Sequence, residues 1–334
     1  MSWNVLLTAG SLRNEAVDEA AKKILLDAGC ELTEAFDAGM ADVNDLRSKL
    51  PGVDAVLAGV EPYTAELLAS DEAKELKVIS RWGVGFDAID LDAATEHGVL
   101  VTNTPNLLND AVADLTFGLI LALARRLHEG HCIMISGEWK ASWGVDVGGA
   151  TLGILGIGRI GKAVAKRAAG FGMKILACDP FPQPDAEALG VTMVELDELL
   201  SQSDFVTIHT ALTDETRGLI GADALGKMKS DAMLINTSRG AVLDEDALVE
   251  ALQKGTIGGA ALDTYLKEPL AADHPLRTCP NVLLTPHQAS FGVTTGKKVS
   301  AMAAQAIVDA MNGKRPASVV NQDVLKMKNR ASIE

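Results

Sequence analysis

Thr151-Leu152-Gly153-Ile154-Leu155 runs directly into Gly156-Ile157-Gly158-Arg159-Ile160-Gly161, and the reading of this stretch decides the fold. The first five residues are apolar enough for a buried strand, and residues 162–170, rich in Ala and Lys, continue as a helix. The glycines between them have separate tasks. Gly156 permits a tight turn, Gly158 lets backbone approach a pyrophosphate, and Gly161 lets helix and strand pack closely. The helix start at Arg159 and Ile160 then turns unpaired N–H groups toward the phosphates. A G-x-G-x-x-G alone is a weak signal, but here a strand precedes it and a helix follows. Asp179 closes the next apolar run, 173–178. A carboxylate there accepts hydrogen bonds from the adenosine ribose and repels a 2′-phosphate. Pro180-Phe181-Pro182-Gln183-Pro184 offers no Arg or Lys to that phosphate, so NAD is expected rather than NADP.

Working outward, strand candidates at 151–155, 173–178, 204–209, 232–236, 259–262 and 282–284 alternate with helix candidates such as 162–170, 195–200 and 244–254. That is the pattern of a doubly wound parallel sheet. Upstream, candidates at 5–8, 31–36, 55–57, 78–80 and 99–101 alternate with helical stretches 15–28, 43–50, 65–69 and 91–97, which predicts a second parallel α/β sheet. Asn103-Thr104-Pro105 interrupts the series. A helix over about 110–129 is apolar nearly all round, so it is expected to be buried between domains or subunits. Residues 130–150 read as irregular, and Trp139 and Trp143 within them suggest an interface. The tail helix, 295–312, has no further strand of the second series to cross to and is expected to return to the first domain.

Composition bounds the functional classes. A length of 334 residues accommodates two domains, and 4% aromatic content leaves Ala, Val, Leu and Ile to build the cores. A net charge of −15 argues against nucleic acid and anionic membrane as partners. The most apolar stretch, 115–124, is about half a membrane span. Cys30, Cys132, Cys178 and Cys279 lie far apart without C-x-x-C spacing, as expected of reduced thiols in the cytoplasm. The six histidines show neither H-x-x-x-H nor H-E-x-x-H spacing, so no metal site is expected.

Three polar residues follow strand candidates of the second series: Arg239 in Asn236-Thr237-Ser238-Arg239-Gly240, Glu268 before Pro269, and His287 in Thr285-Pro286-His287. Ligand crevices of open α/β sheets lie at the carboxyl ends of strands. A guanidinium there can hold a carboxylate with two hydrogen bonds. A carboxylate beside an imidazole stabilises the imidazolium, which can protonate a carbonyl oxygen as hydride reaches its carbon. In the first domain, Arg81-Trp82-Gly83-Val84-Gly85 follows a strand, and its glycines can expose backbone N–H groups to a second carboxylate contact.

Taken together, the Arg81–Gly85 loop, Asn103-Thr104-Pro105, the glycine-rich turn, Asn236–Gly240, Glu268-Pro269 and Thr285-Pro286-His287 resemble the D-isomer-specific 2-hydroxyacid dehydrogenases over nearly the whole chain, near the glyoxylate/hydroxypyruvate reductases and the short phosphoglycerate dehydrogenase-like branch. The resemblance implies a Rossmann NAD domain, 103–290, inserted into a flavodoxin-like substrate domain, 1–102 with 291–334, and a cleft that closes on substrate. It implies Arg239, Glu268 and His287 as the catalytic set, Gly83, Val84 and Gly85 with Arg81 on the substrate, and a homodimer through the NAD domains. It also implies Asp263 near the nicotinamide amide, Thr210 near the cofactor ribose or adenine, and Thr237 among the cofactor contacts.

The expected reaction interconverts a small 2-keto acid and a D-2-hydroxy acid. Substrate choice is less legible. Some relatives of the phosphoglycerate dehydrogenase type carry an Arg in the loop after the third strand to hold a phosphate, whereas this loop reads Ala58-Gly59-Val60-Glu61-Pro62. That argues against a phosphorylated substrate, although Arg81 or Lys140 could replace the cation. A phosphoglycerate dehydrogenase-type enzyme and a non-catalytic NAD(H)-sensing, corepressor-like protein are the alternatives.

Overall fold

The structure, a computed structural model, describes residues 2–36, 43–181, 184–326 and 329–333. Its strands are β1 (Asn4–Leu7), β2 (Glu31–Glu34), β3 (Ala55–Ala58), β4 (Val78–Arg81), β5 (Leu100–Thr102), β6 (Thr151–Leu155), β7 (Lys174–Cys178), β8 (Val191–Met193), β9 (Phe205–Ile208), β10 (Met233–Asn236), β11 (Gly259–Leu262) and β12 (Val282–Leu284). Its helices are α1 (Glu15–Asp27), α2 (Val43–Lys49), α3 (Ala65–Leu68), α4 (Leu91–Glu96), α5 (Asn109–Ala124), α6 (Leu127–Ile135), α7 (Arg159–Gly170), α8 (Leu196–Gln202), α9 (Ala222–Lys227), α10 (Glu245–Lys254) and α11 (Val293–Met311). Two compact units result: Met1–Leu108 with Ser290–Glu334, and Asn109–Ala289.

The first unit is a five-stranded parallel sheet in the order β2-β1-β3-β4-β5, the flavodoxin order. Its inner strand β3 is buried on both faces, as its unbroken run Ala55-Val56-Leu57-Ala58 requires, while the edge strand β2 stays largely exposed. The C-terminal helix α11 belongs to this unit and lies along α1. Gly296 makes that approach possible, since a Cβ there would come within 2.8 Å of Val17. The Ser80 hydroxyl donates to the Ala303 carbonyl, and the Trp82 indole N–H to the Ser300 hydroxyl, both at 2.8 Å.

The second unit is a seven-stranded parallel sheet in the order β12-β11-β10-β9-β6-β7-β8. Read outward from β6, this is the Rossmann order with one further strand at β12. Three elements escape the sequence pattern, one of them α6, which runs to Ile135 where irregular chain was expected. β8 has three residues, of which only Val191 is buried, too short for a periodicity signal. α9 has six residues between a glycine and Met228 and is equally brief.

The helix expected over 110–129 stops at Ala124. Arg126 takes a left-handed conformation (φ 50°), and the Val145 amide donates to the Ala124 carbonyl at 2.9 Å, the acceptor a continuing helix would need. The chain restarts as α6. α5 packs in the core of its own unit, where Phe117, Ile120 and Ala113 meet Val164, Ala165 and Ala168 of α7.

Candidate active site

β10, β11 and β12 are parallel neighbours, so the turns that follow them share one edge of the sheet. Arg239 follows β10, Glu268 follows β11 and His287 follows β12. Within each turn the side chain is held by its surroundings. After β10, the fully buried Asn236 accepts from the Ser238 amide at 3.0 Å and donates to the Arg239 carbonyl at 2.9 Å. Gly240 then touches the next turn. A Cβ there would lie 1.9 Å from the Tyr265 carbonyl carbon, so only glycine lets the two backbones come together. Arg239 also donates from Nη1 to the Ser238 carbonyl at 2.7 Å.

Glu268 is fixed at both oxygens. Oε1 accepts from the Tyr265 amide at 3.0 Å and Oε2 meets His287 Nδ1 at 2.6 Å. Tyr265 stitches β11 to β12 through its hydroxyl, which donates to the carbonyls of Leu262 (3.1 Å) and Thr285 (2.9 Å). Burial, with the negative charges of Asp263 and Glu268, pushes this phenol up to about 12, so it remains a donor. With Nδ1 engaged, the other ring nitrogen of His287 is the one available for proton transfer. His287 itself has φ 50°, rare for a residue that is not glycine.

That backbone conformation is braced by Asp263, which is fully buried. Its Oδ1 accepts from the Thr285 hydroxyl at 2.5 Å and the Gln288 amide at 2.9 Å, and its Oδ2 from the Ala289 amide at 2.8 Å. Behind the Glu268 turn, Glu245, 6% exposed, accepts from the Leu266 amide and lies 3.4 Å from His274. Sequence reading passed over Glu245 because it sits in the acidic run Asp244-Glu245-Asp246 at a helix start, where acids are ordinary.

The glycine-rich turn lies past β6 at the same edge. Gly156 (φ 92°) closes on the next strand's exit, since a Cβ there would come within 2.6 Å of the Thr210 amide. At Gly161 a Cβ would lie 2.2 Å from the Gly156 carbonyl oxygen, which is the close helix–strand contact expected of it. At Gly158, the N-cap of α7, a Cβ would meet nothing within 4 Å, and no side chain caps the helix. An open helix N-terminus with exposed backbone fits a pyrophosphate. Asp179 braces this turn, accepting from the Ile157 amide and the Phe181 amide, each at 2.8 Å. Of the segment after it, Pro182 and Gln183 lie outside the described residues. Thr237 faces Thr116 at 3.2 Å between hydroxyls, and Arg159 and Ile160 form the first turn of α7.

His209 is the counter-example among the histidines. Its Nε2 meets the Thr207 hydroxyl at 2.8 Å, and burial pushes the imidazole down to about 3, although part of the residue reaches solvent. Near pH 7 it is a neutral imidazole rather than a cation able to act as a general acid. Among the described residues no group of three metal-ligating side chains occurs, and no helix is long and apolar enough to cross a membrane.

In the first unit, Gly83 (φ 134°) follows β4. Its amide donates to the Thr104 hydroxyl at 2.9 Å, and a Cβ there would lie 2.8 Å from Arg81 Nη1. Asn103 donates to the Val84 carbonyl at 2.8 Å. The Asn103-Thr104 pair thus shapes the loop that carries Val84 and Gly85.

Known proteins resemble this chain over most of its length. A family model described as "D-isomer specific 2-hydroxyacid dehydrogenase, NAD binding domain" matches residues 117–289. A glyoxylate reductase of Korarchaeum cryptofilum is 44% identical over 275 residues, covering 80% of this chain and 82% of that protein. A D-3-phosphoglycerate dehydrogenase of Methanocaldococcus jannaschii is 43% identical over 315 residues, 93% of this chain but 59% of the longer relative. Among solved structures, the NAD-dependent formate dehydrogenase of Staphylococcus aureus in complex with NAD superimposes with a TM-score of 0.84 at 32% identity, covering 95% of this chain and 98% of that one.

Proposed function

From its membership of the D-isomer specific 2-hydroxyacid dehydrogenases, the family to which this chain belongs, we propose that His287 is the acid–base group and Arg239 the substrate clamp. The chain is an NAD-dependent oxidoreductase that interconverts a 2-keto acid and a D-2-hydroxy acid. When bound, the nicotinamide supplies or accepts the hydride. The observation that carries the assignment of roles is the His287–Glu268 contact of 2.6 Å, on the sheet edge that also bears the glycine-rich turn.

His287 gives its proton to the carbonyl oxygen during reduction and takes one from the hydroxyl during oxidation. Glu268 holds Nδ1, orients the ring and stabilises the imidazolium formed in the oxidative direction. The Arg239 guanidinium spans carboxylate and carbonyl oxygens, fixing the acid and polarising the bond that accepts hydride. In the first unit, Arg81 and the Gly83–Gly85 loop bind the carboxylate, and with the Gly83 amide given to Thr104 the contact falls to the amides of Val84 and Gly85. On the cofactor, the assigned groups are Gly156, Gly158, Arg159, Ile160 and Gly161 at the pyrophosphate, Asp179 at the adenosine ribose, and Thr210, Thr237 and Asp263 along the rest. The expected cofactor domain, 103–290, and substrate domain, 1–102 with 291–334, differ from the two compact units at 103–108 and 290, which group with the first unit.

Small unphosphorylated acids, glyoxylate and hydroxypyruvate first, are the substrates to test. A panel of keto acids with NADH, followed by the loss of NADH absorbance, should give turnover on one of these. Tight NADH binding with no turnover on any acid would sink the catalytic reading in favour of a sensor.

The working form is a homodimer. Leu127, Met134, Ile135, Trp139 and Trp143 are exposed on and just after α6, the two tryptophans at 90% and 95%, apolar surface that suits a partner subunit. Sedimentation should give a dimer mass, and a monomer at micromolar concentration would overturn this. The four free cysteines suit the cytoplasm.

A further inference from the structure

Away from the dinucleotide edge, one carboxylate is unusual for its burial. Glu61 is 2% exposed. Its Oε1 accepts from three groups, two from its own loop and one from beyond β1: the Gly59 amide at 3.0 Å, the Tyr63 hydroxyl at 3.1 Å and the Thr8 hydroxyl. Thr8 is 1% exposed and Tyr63 fully buried. The loop closes tightly on this oxygen pair. At Gly59 a Cβ would come within 2.8 Å of Glu61 Oε2 and 3.1 Å of the Ala9 Cα.

Donors converging on one oxygen make an anion site. Its position gives it meaning. The order β2-β1-β3-β4-β5 reverses direction between β1 and β3, and in open parallel sheets the crevice at the carboxyl ends of that pair is the ligand site. Thr8 and Gly59 are the first residues beyond those two strands. The neighbouring β4 ends at Arg81, in register with Ala58, and the Trp82 amide donates to the Ala58 carbonyl at 2.8 Å. The loop that carries Val84 and Gly85 therefore starts one strand away from Glu61. Arg81 is close enough for its charge to act on Tyr63.

We propose that Glu61 is a specificity-determining residue that fills the ligand crevice of the first unit with the chain's own anion, so that 2-keto acids bearing a second anionic group are rejected and mono-anionic ones preferred. An incoming phosphate or second carboxylate would find the donors of Thr8, Gly59 and Tyr63 already spent and would face a buried like charge. The inference rests on the proposed function, in particular on Val84 and Gly85 binding the carboxylate of the acid.

The test compares kcat/KM for 3-phosphohydroxypyruvate and hydroxypyruvate, with NADH, in the full-length wild type, Glu61→Gln and Glu61→Ala. A ratio of two substrates on one preparation is independent of the fraction folded. The wild type should favour hydroxypyruvate by about tenfold or more, near 1.4 kcal/mol. The ratio should move toward the phosphorylated acid by about tenfold in Glu61→Gln and further in Glu61→Ala, where the donors are released. A ratio unmoved in both variants overturns the inference, and so does a wild type that prefers the phosphorylated acid; neither touches hydride transfer itself. A wild type inactive on every acid instead removes the functional reading and this inference with it. Should neither variant fold, inhibition of the wild type decides: 3-phosphoglycerate should inhibit at least about tenfold more weakly than D-glycerate, and equal inhibition overturns the inference.

Discussion

At the carboxyl end of β6 the backbone is left open: Gly158 caps α7 with no side chain, and a Cβ there would meet nothing within 4 Å. At the carboxyl ends of β1 and β3 the donors are spent, the Thr8 hydroxyl and Gly59 amide both on Glu61. Both edges belong to parallel sheets at the point where strand order reverses, so the fold offers the same crevice twice. One sheet keeps it for a shared cofactor, and the other closes it and gains discrimination. Fold physics thus locates both crevices, while the presence or absence of a side chain decides what each can take.

The largest effect expected separates chemistry from the open crevice. His287→Ala should lower kcat by about a thousandfold, within the range for a general acid–base group, and leave the Kd for NADH within about twofold. Fluorescence titration checks the second half. A parallel loss of NADH affinity would mean that His287 supports the cofactor rather than the proton.

Narrowing the open crevice comes next. In Gly161→Ala the new Cβ would start 2.2 Å from the Gly156 carbonyl oxygen, so the helix N-terminus must shift, and NADH should bind about tenfold more weakly or worse. The mirror experiment is Gly59→Ala in the filled crevice. Crowding at Glu61 Oε2 and Ala9 should cost about 2 kcal/mol in urea unfolding, with NADH affinity unchanged. If Gly59→Ala weakened NADH as Gly161→Ala does, the division of labour between the two edges would fail.

The smallest effect is a pH dependence at His209, beside the open crevice. Burial holds its folded-state value near 3, from an ordinary 6.5. Below 6.5 the unfolded chain takes up a proton that the native protein refuses, so stability falls as pH falls. The loss is at most about 1.4 kcal/mol per pH unit and ends near the folded value. His209→Gln should lose about 1 kcal/mol less than wild type between pH 6.5 and 5.5 in urea midpoints. Equal losses in the two proteins would remove His209 as the cause.

Long periodic features were legible from residues alone. The run into Gly156, the alternation on both sides of it, and the three polar residues after late strands all announce themselves locally. The resemblance to the dehydrogenases then joined them. What stayed hidden depended on partners far apart in the chain. Val191–Met193 pairs as an edge strand only because β7 is there to receive it. The break after Ala124 needs Val145 to claim a carbonyl, which no helical periodicity reports. Glu61 read as a lone acid in a loop, and its meaning comes from Thr8, 53 residues away, closing over it. Asp263 entered only through the resemblance, as a neighbour of nicotinamide. Its bonds to Thr285, Gln288 and Ala289 depend on β12 lying beside β11.

Those three bonds tie the turn that bears His287 to a carboxylate at the end of an inner strand. Loops at enzyme sites commonly open on their own, well below the free energy of global unfolding. Here the turn has no private way to loosen, because releasing it strands a buried charge. The Gln288 and Ala289 amides should exchange with deuterium on the slow schedule of the sheet, and heat should end activity at the temperature where the domain melts.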